Sequence, residues 1–512
     1  MMDYKGFKSG TDIRGIANHE GGREITLTDR AVENMAAGFG RWLAVRAGKD
    51  AARLRISVGH DSRISAGRLK AAVIRGLTAV GSTAFDCGLS STPAMFMTTV
   101  PLAAGGADMD GAVQITASHH PFDRNGLKFF TPAGGLDGPD ISYILEQAAA
   151  IDEQGGIAAL SGKGGTEFLD YMPRYAALLR DIIAKGVEKA EEDRPLSGFH
   201  IVVDAGNGAG GFYATQVLAP LGADISGSQF LEPDGYFPNH VPNPEDRAAM
   251  ESVCAATLRS GADLGVIFDT DVDRAGCVGR DGQEINRNRL VALAAAIALE
   301  NCPGGTIVTD SITSSGLKTF IESKLNGVHY RYRRGYRNVI NKAIELEGKG
   351  VPAPLAIETS GHAALKENYF LDDGAYLITK IIIKMANLRA AGKDIEDLIG
   401  GLPEPKEASE VRFAIKEKDF RAYGEHVIEE LEAFAGGVAG WEIADDNREG
   451  IRVSTDQGRG WFLLRLSVHD PIMPMNLESD RDGGVRDMAS ALLPFFSRFA
   501  GLDIAPLEQI LR

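Results

Sequence analysis

The chain has 512 residues, too many for one hydrophobic core, and its 44% hydrophobic and 24% charged residues are the balance of a globular protein. A formal net charge of −16 argues against a whole-surface attraction to nucleic acid or anionic membranes, so a phosphorylated ligand would have to be met by local cations or a metal. Four cysteines, Cys87, Cys254, Cys277 and Cys302, show no C-x-x-C spacing, which argues against a structural zinc site and a disulfide framework.

The start, MMDYKGFKSGTDIRG, has no basic segment followed by an apolar one. It predicts no secretion signal and a cytoplasmic location. One local pattern then occurs three times. An apolar strand ends in Asp, small residues follow, and an amphipathic helix comes next. The copies are LRISVGHDSRISAGRLKAAVIRGLTAVG with Asp61, FHIVVDAGNGAGGFYATQVLAPLGAD with Asp204, and GTIVTDSITSSGLKTFIESKLNG with Asp310. Such units build layered α/β domains, and their wide, irregular spacing predicts related domains rather than a solenoid. The apolar run Leu290–Leu299 is about half the length of a bilayer span and predicts a buried helix. Linker candidates are the Gly-rich stretch Ile151–Gly165 and GGLPEPKEASE (Gly400–Glu410), and GRDGQ (Gly279–Gln283) reads as a turn ending the second unit. After the last, WFLLRLSV reads as a strand.

Five motifs could carry chemistry. TASHHP (Thr116–Pro121) follows the strand-like GAVQI, which places Ser118 where a strand gives way to a loop. His119, His120 and Lys128 add donors. A serine hydroxyl needs activation, and without a G-x-S-x-G elbow a hydrolase triad is unsupported. GNGAGG (Gly206–Gly211) matches a dinucleotide fingerprint, with Asp224 downstream; a structural glycine turn is the competing reading. In IFDTDVDRAG, Asp269, Asp271 and Asp273 alternate after an apolar strand. Alternation in an extended segment sends all three to one face. Three clustered carboxylates repel one another without a cation, so a hard divalent ion, Mg²⁺, is the natural partner. AIETSGH places Glu358, Ser360 and His362 after another apolar run, a set suited to sugar hydroxyls. LLRLSVHDP offers Arg465, Ser467 and His469 as a phosphate clamp.

Together these motifs resemble the α-D-phosphohexomutase family, the phosphomannomutases, phosphoglucomutases and their amino-sugar relatives. TDIRG, VGHDSRISA, TASHHP with NGLK, DAGNGAGG, PDGYFPNHVPNPE, DTDVDRAG and ETSGH stand in the family's order. The resemblance implies four domains around a central cleft, the first three sharing one α/β sandwich topology and the fourth a smaller α+β domain. Their expected bounds are 1–155, 156–282, 283–402 and 403–512. It implies that Ser118 is a phosphoserine, and that Ser118, Asp269, Asp271 and Asp273 hold one Mg²⁺. Arg14, Lys128 and His362 fall at its catalytic positions, the last two as candidates for proton transfer. His119, Arg274, Gly335, Glu358, Ser360, Arg465, Ser467 and His469 fall at its substrate contacts.

The implied reaction interconverts hexose 1-phosphate and hexose 6-phosphate, of mannose, glucose or both, through a 1,6-bisphosphate that also serves as activator. The chain would act as a monomer or homodimer. The alternatives are a phosphoglucosamine mutase and a Mg²⁺-dependent sugar phosphatase. The sequence departs from the family's last-domain loop, R-P-S-G-T-E-P-x-x-R, in reading RLSVHDPIMP, with Pro474 where a second arginine is expected. Tyr336 stands where mannose/glucose enzymes tend to have His, and Thr11 where the family has Tyr.

Overall fold

The computed structural model describes residues 2–188, 194–467 and 470–512. The chain divides into two units, Met1–Ile297 with Ser360–Leu398, and Ala298–Thr359 with Ile399–Arg512.

The first unit opens with strand β1 (Asp12–Ile16), helix α1 (Asp29–Ala47), β2 (Arg55–His60), α2 (Ala66–Ala79), β3 (Thr83–Leu89), α3 (Thr92–Met97), β4 (Gly111–Ile115), β5 (Arg124–Thr131) and α4 (Gly138–Glu153). Helix α1 begins where the Thr28 hydroxyl accepts from the Ala31 N–H and ends at Gly48, whose φ of 61° suits glycine. β4, β2 and β3 run parallel; β5 and β1 extend the sheet antiparallel. Ile56, Val58, Val113 and Leu127 of this sheet share one core with Phe39 of α1 and Leu69 of α2. Gln114 of β4 lies opposite Lys128 of β5. That register sets the loop after β4 beside the lysine.

The unit continues with α5 (Met172–Gly186), β6 (Ile201–Asp204), α6 (Arg247–Ser260), β7 (Leu264–Phe268) and β8 (Ala275–Gly279). β7 pairs parallel with β6 and antiparallel with β8. The acidic motif is therefore the turn of a fully buried hairpin. The segment after GNGAGG is predicted as an amphipathic helix. It winds instead as a π-helix over Tyr213–Leu218 and a 3₁₀ turn over Ala219–Leu221, because Pro220 has no N–H with which to continue an α-helix. The apolar run forms the helix Asn288–Glu300, with Leu290–Leu299 buried as expected.

In the second unit β9 (Thr306–Thr309) lies between the parallel strands β10 (Val328–Arg331) and β11 (Leu355–Ile357), with α7 (Tyr336–Gly348) between β10 and β11 in the chain. The first unit resumes with β12 (Ala363–Leu365), its antiparallel partner β13 (Leu371–Asp372) and α8 (Gly374–Ala390). The second unit closes with β14 (Glu407–Ala414), α9 (Phe420–Gly436), β15 (Ile451–Thr455), β16 (Gly460–Leu464), β17 (Ile472–Ser479) and α10 (Gly484–Phe496). These last strands form an antiparallel sheet in the order β14-β17-β16-β15, over a core that includes Phe413, Phe462, Phe495 and Phe496. The class is α/β with a final α+β domain, as expected. Among the described residues no helix is long and apolar enough to cross a membrane.

The recurring strand-end aspartates are structural. All three are buried. Asp61 accepts from the Arg63 N–H at 3.0 Å and Asp204 from the Gly206 N–H at 2.9 Å. These two fix the turns that leave their strands, the role Asp plays through its short side chain, while Asp310 accepts from the Thr359 hydroxyl at 2.8 Å.

Candidate active site

Ser118 sits three residues beyond β4 with φ +50°, a left-handed conformation that few non-glycine residues adopt. Its N–H donates to the Thr116 hydroxyl at 2.9 Å. Its own hydroxyl donates to Asp269 Oδ2 at 3.0 Å, accepts from Arg274 Nη2 at 3.2 Å, and lies 3.3 Å from His119 Nδ1. The serine loop and the acidic turn thus meet at one oxygen.

What holds the serine loop is a residue to which the sequence reading gives no role. Arg63, fully buried, donates to the carbonyls of Pro121 at 2.8 Å, His120 at 2.6 Å and Arg124 at 3.0 Å, and also to that of Ser118. Its charge is balanced by Asp61 at 3.2 Å. Buried carbonyls left without donors would be costly, so one guanidinium specifies the loop. The signal available in sequence was its place two residues after a strand-end aspartate, in VGHDSRISA. Arg14, on β1, reaches the same loop by donating to the Thr116 carbonyl, while pairing with Asp12 at 2.8 Å.

The three aspartates do converge, but not by strand alternation. Val272 between them has φ +69°, so the chain reverses there. Asp269, Asp271 and Asp273 are buried, and their oxygens lie within 4.8 Å of one another. Three elements brace the turn. The Thr92 N–H at the start of α3 donates to the Asp271 carbonyl at 2.8 Å. The Ala209 N–H donates to the Thr270 carbonyl at 2.8 Å. The Gly374 N–H donates to the Val272 carbonyl at 3.1 Å. GNGAGG therefore serves the acidic turn. A Cβ on Gly208 would stand 2.6 Å from the Thr270 carbonyl oxygen, so glycine is required there by close backbone approach.

Burial, reinforced by Asp273 and Asp271, pushes the Asp269 carboxyl well above its ordinary range. For Asp273 burial acts the same way, but Lys128 and Arg274 outweigh it and hold the carboxyl low. Lys128 donates to Asp271 at 2.9 Å and also to Asp273. Arg274 pairs with Asp269 at 3.1 Å. Asp271 Oδ1 and Asp273 Oδ1 are buried without a hydrogen-bond partner among the described residues. Two bare carboxylate oxygens beside Asp269 and the Ser118 hydroxyl form an all-oxygen donor set, which fits a hard divalent cation. Lys128, expected as a proton carrier, pairs with two carboxylates of the acidic cluster.

The division between the two units falls within ETSGH. Ser360 and His362 belong to the first unit. Ser360 Oγ lies 2.8 Å from His362 Nδ1, His362 pairs backbone to backbone with Arg274, and its Nε2 stands 3.8 Å from Asp273 and 3.7 Å from Asp372. Glu358 belongs to the second unit, where it accepts from the Gly335 N–H at 2.6 Å. His119 and His120 stack at 5.0 Å. The Arg274 charge and burial push His119 down strongly, and burial with the Arg14 charge pushes His120 down to about 3. Both rings are neutral at ordinary pH, so His119 can offer a lone pair or an N–H without adding charge.

In the second unit Arg465 follows β16, nearly buried, with its Nε lacking a hydrogen-bond partner among the described residues. Burial, then the nearby Arg334 charge, lowers its pKa. A buried guanidinium with an unused donor is ready for an anion. The Ser467 N–H donates to the Ile472 carbonyl at 3.0 Å. His469 lies outside the described residues.

Family models described as phosphoglucomutase/phosphomannomutase α/β/α domains I, II and III match residues 7–155, 175–282 and 286–405. A phosphoglucomutase of Neisseria gonorrhoeae is 31% identical over 475 residues, 93% of each chain. A phosphomannomutase/phosphoglucomutase of Pseudomonas aeruginosa is 30% identical over 428 residues, covering 83% of this chain and 84% of the other. The crystal structure of a phosphoglucomutase/phosphomannomutase family protein from Burkholderia thailandensis superposes with a TM-score of 0.79 at 28% identity, over 97% of this chain and 98% of that one.

Proposed function

The chain belongs to the phosphoglucomutase/phosphomannomutase family and is a hexose-phosphate mutase; we propose that it works through a phosphorylated Ser118 on glucose and mannose phosphates. The observation that carries this is the meeting of the Ser118 hydroxyl with Asp269 and Arg274 across two distant motifs. A nucleophile, a carboxylate cluster and a guanidinium at one point are the parts that phosphoryl transfer requires.

In the proposed cycle phosphoserine 118 gives its phosphoryl group to the free hydroxyl of a hexose 1-phosphate. The serine oxygen leaves, and the hydroxyl's proton passes to a base. His362, oriented by Ser360, is proposed for that proton, with Lys128 exchanging it on the return. The 1,6-bisphosphate turns round, its other phosphoryl group returns to Ser118, and the 6-phosphate is released. Arg274 and Arg14 neutralise charge around the serine loop. Asp269, Asp271, Asp273 and Ser118 would hold Mg²⁺, which when bound spreads charge on the transferring phosphoryl oxygens. Glu358 with Gly335 is proposed to read sugar hydroxyls, and Arg465, Ser467 and His469 to bind phosphate. Hexose 1,6-bisphosphate is proposed as the activator that restores phosphoserine, in a chain of four domains bounded at 1–155, 156–282, 283–402 and 403–512.

The test pairs intact-mass measurement with mutase assays on glucose, mannose and glucosamine 1-phosphates, each with a trace of the matching 1,6-bisphosphate. Glucose and mannose phosphates should turn over, and an acid-stable phosphoryl group should map to Ser118. Undiminished turnover by Ser118→Ala, or a hydroxylamine-labile phosphoryl group on an aspartate, would sink the mechanism.

A further inference from the structure

The acidic turn carries a strained residue. Val272, β-branched and buried, holds φ +69° between two expected metal ligands. β-Branched residues avoid this region, so contacts around it must keep it there. The main one is the first residue of α8. The Gly374 N–H donates to the Val272 carbonyl, and a Cβ on Gly374 would lie 2.7 Å from the Arg274 carbonyl carbon and 2.8 Å from its oxygen. The helix end and the turn are packed backbone on backbone.

That helix end is itself pinned. Asp373 caps α8 by accepting from the Tyr376 N–H at 2.8 Å. Its own N–H donates to the Ala363 carbonyl at 3.1 Å. The Tyr175 hydroxyl, from α5, donates to the same carboxyl at 2.7 Å, and Asn368 Nδ2 donates at 3.1 Å. A second brace runs through Tyr213, whose hydroxyl lies 2.9 Å from that of Thr379 on α8 and whose ring meets Phe268 edge-on at 5.3 Å. Phe268 is the residue before Asp269. Tyr175 and Tyr213 are both fully buried, and nothing in the phosphoryl-transfer scheme uses them. Burial raises the Asp373 carboxyl to about 6, which makes the hydroxyl and amide donors around it matter more.

We propose that Tyr175 is a positioning residue for the metal site: its hydroxyl fixes Asp373, and Asp373 fixes the helix end on which the Asp271-Val272-Asp273 turn rests. The proposal rests on the metal reading above. Groups that orient metal ligands without touching the ion commonly alter affinity by an order of magnitude or more.

The experiment measures Mn²⁺ binding directly, by electron paramagnetic resonance and calorimetry, on the full chain carrying Tyr175→Phe, with Asp373→Asn as the second variant. Asparagine preserves the helix cap, so the fold has an independent safeguard. Tyr175→Phe should melt cooperatively yet bind Mn²⁺ about tenfold more weakly. The mutase rate should recover as Mg²⁺ is raised. Mn²⁺ affinity within twofold of the parent in either folded variant, or a rate deficit that metal does not restore, overturns the proposal. A parent chain that binds no Mn²⁺ defeats the metal reading instead, so the two failures are distinguishable.

Discussion

The Ser118 hydroxyl donates to Asp269 Oδ2 at 3.0 Å, joining residues 151 positions apart in the chain. That bond seats the serine, with His119 Nδ1 on its other side at 3.3 Å, beside a carboxylate cluster able to take a divalent cation. It also places the serine oxygen within reach of Arg274, so charge developing on it has a fixed counterpart.

Arg63 holds this arrangement through carbonyls, which lysine cannot reproduce with a single ammonium. Arg63→Lys should cost about 3 kcal/mol of stability, the scale of breaking a buried charge-assisted network. Urea unfolding measures it. The rate of Ser118 phosphorylation by 1,6-bisphosphate should fall with it; an unchanged midpoint and rate would show that the loop holds itself.

Lys128 is the internal counter-charge of the acidic turn. Lys128→Met should lower the melting temperature of chelator-treated protein, because buried carboxylates then face one another uncompensated. Metal should stabilise by about 2.7 kcal/mol at a concentration 100 times Kd. Calorimetric scans with EDTA and with Mn²⁺ check both. A melting temperature insensitive to metal in parent and variant alike would remove the cation from this site.

Gly374→Ala tests the contact between helix and turn. In an ordinary helix the change gains about 1 kcal/mol. Here the added methyl meets backbone atoms that cannot step aside, an overpacking cost on the order of 2 kcal/mol. The net is a loss, read as a lower denaturation midpoint together with weaker Mn²⁺ binding. A more stable variant would show the contact to be slack.

Glu478, in the second unit, accepts from Trp461 Nε1 at 2.9 Å, and burial raises its carboxyl to about 7 against the opposing pull of Arg452. The folded protein then keeps a proton that the unfolded chain loses near pH 4.5. Stability from this group is fully present below that pH and is lost as pH rises through about 7, by about 2 kcal/mol given its partial exposure. Glu478→Gln should flatten that part of the stability profile and melt higher at pH 8. Parallel profiles for parent and variant would refute the assignment.

The strand–Asp–helix units, the acidic motif and TASHHP were legible because each is a contiguous signal. Apolar residues run to a strand end, and the chemistry follows within a few positions. The dinucleotide reading of GNGAGG shows the limit. The glycines are real signals of close backbone approach, but sequence does not say what approaches; it is the Thr270 backbone of the acidic turn. Alternation of the three aspartates likewise predicted convergence through an extended strand, whereas the turn at Val272 produces it.

The sequence by itself determined the family and the α/β class, since motif order along one chain survives without coordinates. Only the tertiary structure decided how those motifs are held. Arg63 grips the serine loop, Lys128 neutralises the aspartates, and Gly374 with Tyr175 braces the strained turn. The physical reason is that these are pairings of buried groups far apart in sequence. No local periodicity records which donor ends up facing which acceptor; the packing of sheets and helices selects it.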